Sequence, residues 1–175
     1  MEIIVCVKRV PETAEASLGI DGSKKGIKEE GLVFDVNEWD NYAVEEAIRL
    51  KEKFGGTVTV ISIGKEAANE QIRVCLAKGG DTAIRLTDPH FDGSDGFVTA
   101  KILHNVIKKM KFDLVLTGAM AEDDSFGQTG VNLAELLGVP HAALVTKLEI
   151  LNEKRAKICR ELEGGLSEML EIALP

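Results

Sequence analysis

Aromatic residues are scarce in this chain: they make up 5% of its 175 residues, with a single Trp and a single Tyr. Apolar residues still amount to 45%, so the core has to be assembled from Val, Ile, Leu and Ala. Cysteine is equally thin. Cys6, Cys75 and Cys159 stand far apart with no CxxC pair, which leaves no disulfide framework or thiolate zinc site and suits a reducing compartment. Positive charge is in deficit, with a formal net charge of −8. That argues against nucleic acid or an anionic membrane as the main partner, although a local basic pocket remains compatible with it. No apolar run reaches membrane-spanning length, and the opening MEIIVCVKRV lacks the pattern of a signal peptide. The expectation is a cytoplasmic protein without membrane insertion. Three standard motifs are also missing: GxxxxGK[ST], a GxGxxG after the first strand, and a GxSxG elbow.

What is present is an alternation. EIIVCVK (2–8), TVTVISIG (57–64), TAIRLTD (82–88) and FDLVLTG (112–118) are short apolar runs of the kind that form buried strands. Between and after them, NYAVEEAIRLKEKFGG following Asp40, EAANEQIRVCLAKGG (66–80), GFVTAKILHNVIKKM (96–110) and QTGVNLAELLG (128–138) carry helical spacing with glycine stops. Such a series predicts an α/β fold with a doubly wound parallel sheet and right-handed crossovers. Residues 12–36 are polar and glycine-rich, with a turn at DGSKKG (21–26) and an edge strand at GLVFDV (31–36). From about residue 142 the pattern changes to three strands with tight connections, EGG (163–165) serving as a hairpin turn. The expected organisation is a core over 1–141 and an antiparallel β-meander over 142–175.

In a doubly wound sheet, ligands sit at the carboxyl ends of the strands. Those ends here read CVKRVP, SIGKE, LTDPH and LTGAMAEDDSFGQTG. The last is the most informative, because Gly127, Gln128, Thr129 and Gly130 open a helix. A helix N-terminus offers unpaired amides and a positive dipole end, and glycines let an anion approach the backbone. The simpler alternative is a cap by Asp124 or Ser125, and on chemistry alone the two stand level. Asp123 and Asp124 fit solvation or capping, and Lys8 and Arg9 fit either a phosphate or flavin contact or a solvated strand end. Trp39 fits a hydrophobic staple around an Asp40 cap, Cys6 a small core residue. His90, His104 and His141 are scattered, which disfavours a metal site.

VKRVP, NEWDNYAVEEAIRLKEK, VISIGKEAANEQIRVCLAKGGDTAIRL, DLVLTGAMAEDDSFGQTG, LGVPHAALVTKLEI and RELEGGLSEMLEIALP, in that order, resemble the β-subunit of electron transfer flavoprotein. NEWD, CLAKG and RELEGG are most similar to the branch linked to bacterial trimethylamine-type dehydrogenases. The resemblance implies an adenine-nucleotide-α-hydrolase-like fold in a heterodimer that shuttles electrons between flavin-dependent dehydrogenases and an acceptor. Its FAD is held mostly by the α-subunit, and this subunit is not itself catalytic. It implies a structural AMP here, or a second FAD in bifurcating relatives. Carried over by position, the AMP site comprises Cys6; Asn37, Glu38, Trp39 and Asp40; Ile63; Gly118, Ala119, Met120, Ala121, Glu122, Asp123, Asp124, Ser125, Phe126, Gly127, Gln128 and Thr129. Backbone near Cys6 and Ile63 reads adenine, while Gln128, Thr129 and nearby amides hold phosphate. Thr13 approaches the partner's flavin.

Two positions depart from the family pattern. Ala119-Met120 stand where many relatives have a basic residue and Gln, and Asn37-Glu38 where many have Asn-Pro. Family members also run past position 175, into a dehydrogenase anchor and an arm around the α-subunit, so the expectation is a chain short of that arm. The competing readings are a stand-alone, stress-protein-like adenine-nucleotide binder and an ATP-cleaving ligase of the same superfamily. The glycine-rich phosphate signature of the first and the Ser-Gly-Gly loop of the second are both missing.

Overall fold

A computed structural model describes residues 1–14, 16–24 and 26–175. Its centre is a parallel sheet of β1 (Glu2–Val7), β4 (Thr57–Ile63), β5 (Thr82–Leu86) and β6 (Leu114–Thr117), in the order β5-β4-β1-β6. β1 pairs with β4 along Glu2–Thr57 to Val7–Ser62, and with β6 along Ile3–Leu114 to Cys6–Thr117. The continuous apolar run of β1 is required by its central place. Successive side chains alternate between the two faces, and both faces are covered. Ile3, Val5 and Val7 pack with Val58, Val60, Val44, Ala47, Leu50 and Cys75 on one side. Ile4, Cys6 and Ile61 pack with Ala100, Leu103, Ile107 and Leu133 on the other.

The first cluster is closed by α1 (Glu38–Phe54) and α2 (Asn69–Lys78), and the second by α3 (Gly96–Ile107) and α4 (Thr129–Leu137). This is the doubly wound arrangement expected from the alternation. α2, α3 and α4 are shorter than the periodic patterns suggested, because end turns tighten or go into caps, whereas α1 opens three residues earlier, at Glu38. Residues Glu66–Ala68 form a 3-10 turn ahead of α2, for example. β1 fills the expected 2–8 run to within a residue, and a further short strand, β2 (Arg9–Pro11), follows it and pairs antiparallel with β3 (Phe34–Val36). The 21–26 turn is bracketed by an Ile20–Ile27 bridge, with Lys25 outside the described residues.

The last three strands, β7 (Val145–Asn152), β8 (Arg155–Glu161) and β9 (Ser167–Ala173), form an antiparallel sheet in chain order. The EGG turn joins β8 to β9, with Gly164 and Gly165 at φ 74° and 75°. Alternation decides which face this sheet buries. Leu148, Ile158 and Leu170 stand in register, as do Ile150, Ala156 and Ile172. Ala156 and Ile158 are buried, and Leu148 and Ile150 pack against the core cluster beneath α1.

Candidate functional site

The carboxyl ends of β1, β4, β5 and β6 converge on a cavity of about 320 Å³. Cys6, Ile63, Leu86 and Thr117 supply its strand-end walls. Its rim combines the loop from Gly118 to Gln128 with the residues that precede α3. The two helix N-termini that meet here differ. α3 caps itself, Asp95 accepting from the Val98 amide at 2.8 Å. α4 has Gln128 at its N-cap and no side-chain cap. The expected alternative, a cap by Asp124 or Ser125, is therefore not realised. Asp124 is engaged elsewhere, accepting from the Phe126 amide at 3.0 Å and from Lys8. The first-turn amides of α4 and its dipole end are left facing the cavity wall formed by Gln128, Thr129 and Gly130.

The loop before α4 is held by three side chains. Asn37, 1% exposed, donates through Nδ2 to the Met120 carbonyl at 2.9 Å and accepts at Oδ1 from the Glu122 amide at 3.0 Å. Lys8 places Nζ between Asp123 and Asp124, at 2.6 and 2.8 Å. Burial lowers the Lys8 pKa, but the hydrogen bonds to the two carboxylates outweigh it, and the ammonium is held above its ordinary value. Asp40 is the third. Its carboxylate accepts from the Lys8 amide at 2.8 Å and from the Gly118 amide at 2.9 Å, tying the ends of β1 and β6 together. Burial pushes its pKa up to about 6, against the opposing pull of those amides. The same burial, with the Asp40 charge nearby, pushes the Cys6 thiol up to about 12.

Two glycines have stated reasons. A Cβ at Gly118 would strike Asp40 Oδ1 and lie 3.0 Å from the Trp39 Cβ, so the Asp40 tie requires glycine there. Gly127, at φ 59°, sits in the left-handed region that lets the chain turn into α4.

Of the residues carried over by position, Cys6, Asn37, Asp40, Ile63, Gly118, Ala119, Met120, Ala121, Asp124, Phe126, Gly127, Gln128 and Thr129 line the cavity. Glu38, Trp39, Glu122, Asp123 and Ser125 are not among its lining residues. Glu122 accepts from the Glu38 amide at 3.4 Å, and Asp123 is spent on Lys8. Two roles change. Asp40 does not cap the first helix; α1 opens at Glu38, and Asp40 lies within its first turn, drawn to strand-end amides that sequence spacing cannot reveal. Trp39 is no staple, because it lies inside α1, after the Asn37 N-cap, and is 42% exposed. Arg9 is neither a phosphate contact nor a solvated end, because its guanidinium carbon stands 3.3 Å over the Phe34 ring. Sequence reasoning missed Lys65, Thr87, Ser94 and Thr99, which also line the cavity, and Asp92, which pairs with Lys65 at 2.8 Å. The signal available was their position after β4 and β5, where ligands collect.

Among the described residues no helix is long and apolar enough to cross a membrane, and no group of three metal-ligating side chains occurs.

Comparison with known proteins adds an independent line. A family model described as "Electron transfer flavoprotein domain" matches residues 25–175. The chain is 38% identical over 178 residues to "Electron transfer flavoprotein subunit beta" of Methylophilus methylotrophus, covering 100% of this chain and 67% of that one. It is 42% identical over 175 residues to the protein of the same name from Thermoanaerobacterium thermosaccharolyticum, covering 100% and 66%. It is 38% identical over 177 residues, again 100% and 66%, to "Caffeyl-CoA reductase-Etf complex subunit CarD" of Acetobacterium woodii. The chain thus spans about two thirds of the length of these relatives.

Proposed function

The chain belongs to the electron transfer flavoprotein family, and on that premise we propose that it acts as a β-type subunit holding AMP in the strand-end cavity. It pairs with an α-type subunit that carries most of the FAD. The flavin supplies the redox chemistry between a flavin-dependent dehydrogenase and an acceptor. This chain binds and orients, and takes no catalytic step itself. The observation that carries the nucleotide reading is the uncapped N-terminus of α4, set against a cavity at the carboxyl ends of the strands. Phosphate belongs at the Gln128 and Thr129 amides, where the dipole and the unpaired N–H groups favour an anion. Adenine belongs over Cys6 and Ile63, whose backbone is held rigid by the sheet. Thr13, exposed in the loop after β2, is the group offered to the partner's flavin. A cavity of about 320 Å³ lies at the small end of ligand pockets and favours a mononucleotide over a second FAD.

Heat or acid release from the purified protein, followed by chromatography, tests this reading. The expected product is AMP at close to one per chain. ATP, or no nucleotide, would favour the stand-alone binder, and one flavin per chain would favour the dinucleotide. Gln128→Glu sets a carboxylate beside the phosphate, and at an effective dielectric near 20 the repulsion over a few ångströms weakens AMP binding by on the order of tenfold or more. Unchanged AMP content in that variant would count against phosphate at α4.

A further inference from the structure

Three parts of the chain enclose the strand-end cavity, and they are held very unequally. The floor is the sheet itself, fixed by the ladders of β1, β4, β5 and β6. The loop before α4 is tied by Asn37, Asp40 and Lys8. The remaining wall is the segment 88–94 between β5 and α3, in which Asp88, Phe91, Asp92, Gly93 and Ser94 line the cavity. None of its residues belongs to either apolar cluster of the core. Its backbone bonds are internal, from the Phe91 amide to the Asp88 carbonyl at 3.0 Å and from the Ser94 amide to the Phe91 carbonyl at 3.2 Å. Among the described residues, one polar contact leaves the segment: Lys65 Nζ, in the loop after β4, meets Asp92 at 2.8 Å. Both side chains are mostly exposed, at 77% and 59%.

The points at which this segment can pivot are also set. On one side the chain is fixed as far as Leu86, whose carbonyl accepts from the Gly64 amide at 3.0 Å. On the other it is fixed from Gly96, where a Cβ would stand 3.3 Å from Thr129 Oγ1 and 3.4 Å from the Gln128 Cβ, so the start of α3 abuts the mouth of α4. Gly93, at φ 76° with open space around its Cα, supplies a hinge just ahead of that contact. A ligand enclosed by these walls can leave only if one of them moves. Moving the floor breaks sheet ladders, and moving the loop before α4 breaks the bonds of three side chains. Moving segment 88–94 breaks one exposed ion pair, an interaction that contributes little to stability.

We propose that residues 88–94 are a strap that opens to admit and release the nucleotide, with the Lys65–Asp92 ion pair as its latch. The inference rests on the reading of the cavity as an AMP site. Half-buried Phe91 closes the cavity when the strap is down. The latch lies outside the groups assigned to adenine and phosphate, so it biases opening to the same extent with the cavity filled or empty. Entry and exit therefore share one gate, and weakening the latch speeds both.

Exchange of bound AMP against radiolabelled AMP reads exit, and uptake of the same label by the emptied protein reads entry. Lys65→Met and Asp92→Asn should each speed both rates by about two- to fivefold, the range for an exposed ion pair, while the dissociation constant moves by less than either rate. The two substitutions change the charge at the rim in opposite directions. Direct attraction or repulsion of the phosphate would therefore shift entry in opposite directions, and that result would overturn the latch. Lys65→Asp combined with Asp92→Lys rebuilds the pair and should return both rates to those of the wild type. Arg49→Met, which breaks the Arg49–Glu45 pair on α1, should leave them unchanged; an equal acceleration there would mark a general charge effect and overturn the proposal. Unaltered rates in Lys65→Met and Asp92→Asn, with AMP bound at one per chain, would overturn the strap alone. A protein that takes up no AMP would overturn the nucleotide reading and the gate with it.

Discussion

Replacing Asp40 by Asn separates the two things this carboxylate does. It accepts from two strand-end amides at 2.8 and 2.9 Å, and it does so while only 7% exposed. Its folded pKa is pushed up to about 6, chiefly by burial, against about 3.9 in the unfolded chain. The folded state therefore holds the proton more tightly. The associated stability is fully present below about pH 4 and lost as pH rises through about 6, a swing of about 3 kcal/mol. Asn is neutral throughout, so it lacks the swing. It also turns an N–H₂ toward one backbone amide, which costs about 1–3 kcal/mol at every pH. Wild type should thus be the more stable protein at pH 4, and the variant should draw level with it or overtake it at pH 7.5. Urea titration at both values reads the change directly. With an m-value of about 1–3 kcal/mol/M, the difference between the two midpoints should move by about 1–3 M. Other carboxylates, such as Asp81 and Asp124 with lowered pKa values, tilt both proteins alike and cancel in the difference. A midpoint difference that stays the same at pH 4 and pH 7.5 would refute the reasoning.

Three further outcomes follow from the same site. Asn37→Ala removes both hydrogen bonds to the loop, leaving the Met120 carbonyl and Glu122 amide unpaired; a loss of about 2–4 kcal/mol, with faster amide exchange at Glu122, is expected from denaturation and exchange measurements. Gly118→Ala forces a methyl onto the Asp40 carboxylate, and should cost about 2–4 kcal/mol by thermal or urea unfolding, whereas the same change at open Gly22 should be neutral within about 0.5 kcal/mol. Alkylation of the native protein at pH 8 should label Cys159, which is partly exposed, well before Cys6 and Cys75, which are buried with thiols pushed up to about 12 and about 11.

Much of this architecture was legible in local pattern. The unbroken apolar run of β1 announced a strand covered on both faces, and TVTVISIG did the same for β4, because that burial leaves no polar side to alternate with. Helical spacing in α1 to α4 and the glycines after them set the element order, while Gly127 to Gly130 marked the helix mouth at which the cavity lies. Family membership was legible too, since six collinear stretches carry it.

Partnerships between distant residues were not legible, because periodicity reports which side of its own element a residue faces and nothing about what arrives there. Asp40 looked like a cap, the ordinary use of an acid near a helix start; only the close approach of the β1 and β6 ends, 32 and 78 positions away, turned it into a tie between strands. Lys8 meets Asp123 and Asp124 across more than a hundred residues for the same reason. The walls after β4 and β5 meet those after β1 and β6 because β1 lies between β4 and β6 in the sheet. Strand order is a property of packing, and one chain's local chemistry is consistent with more than one such order.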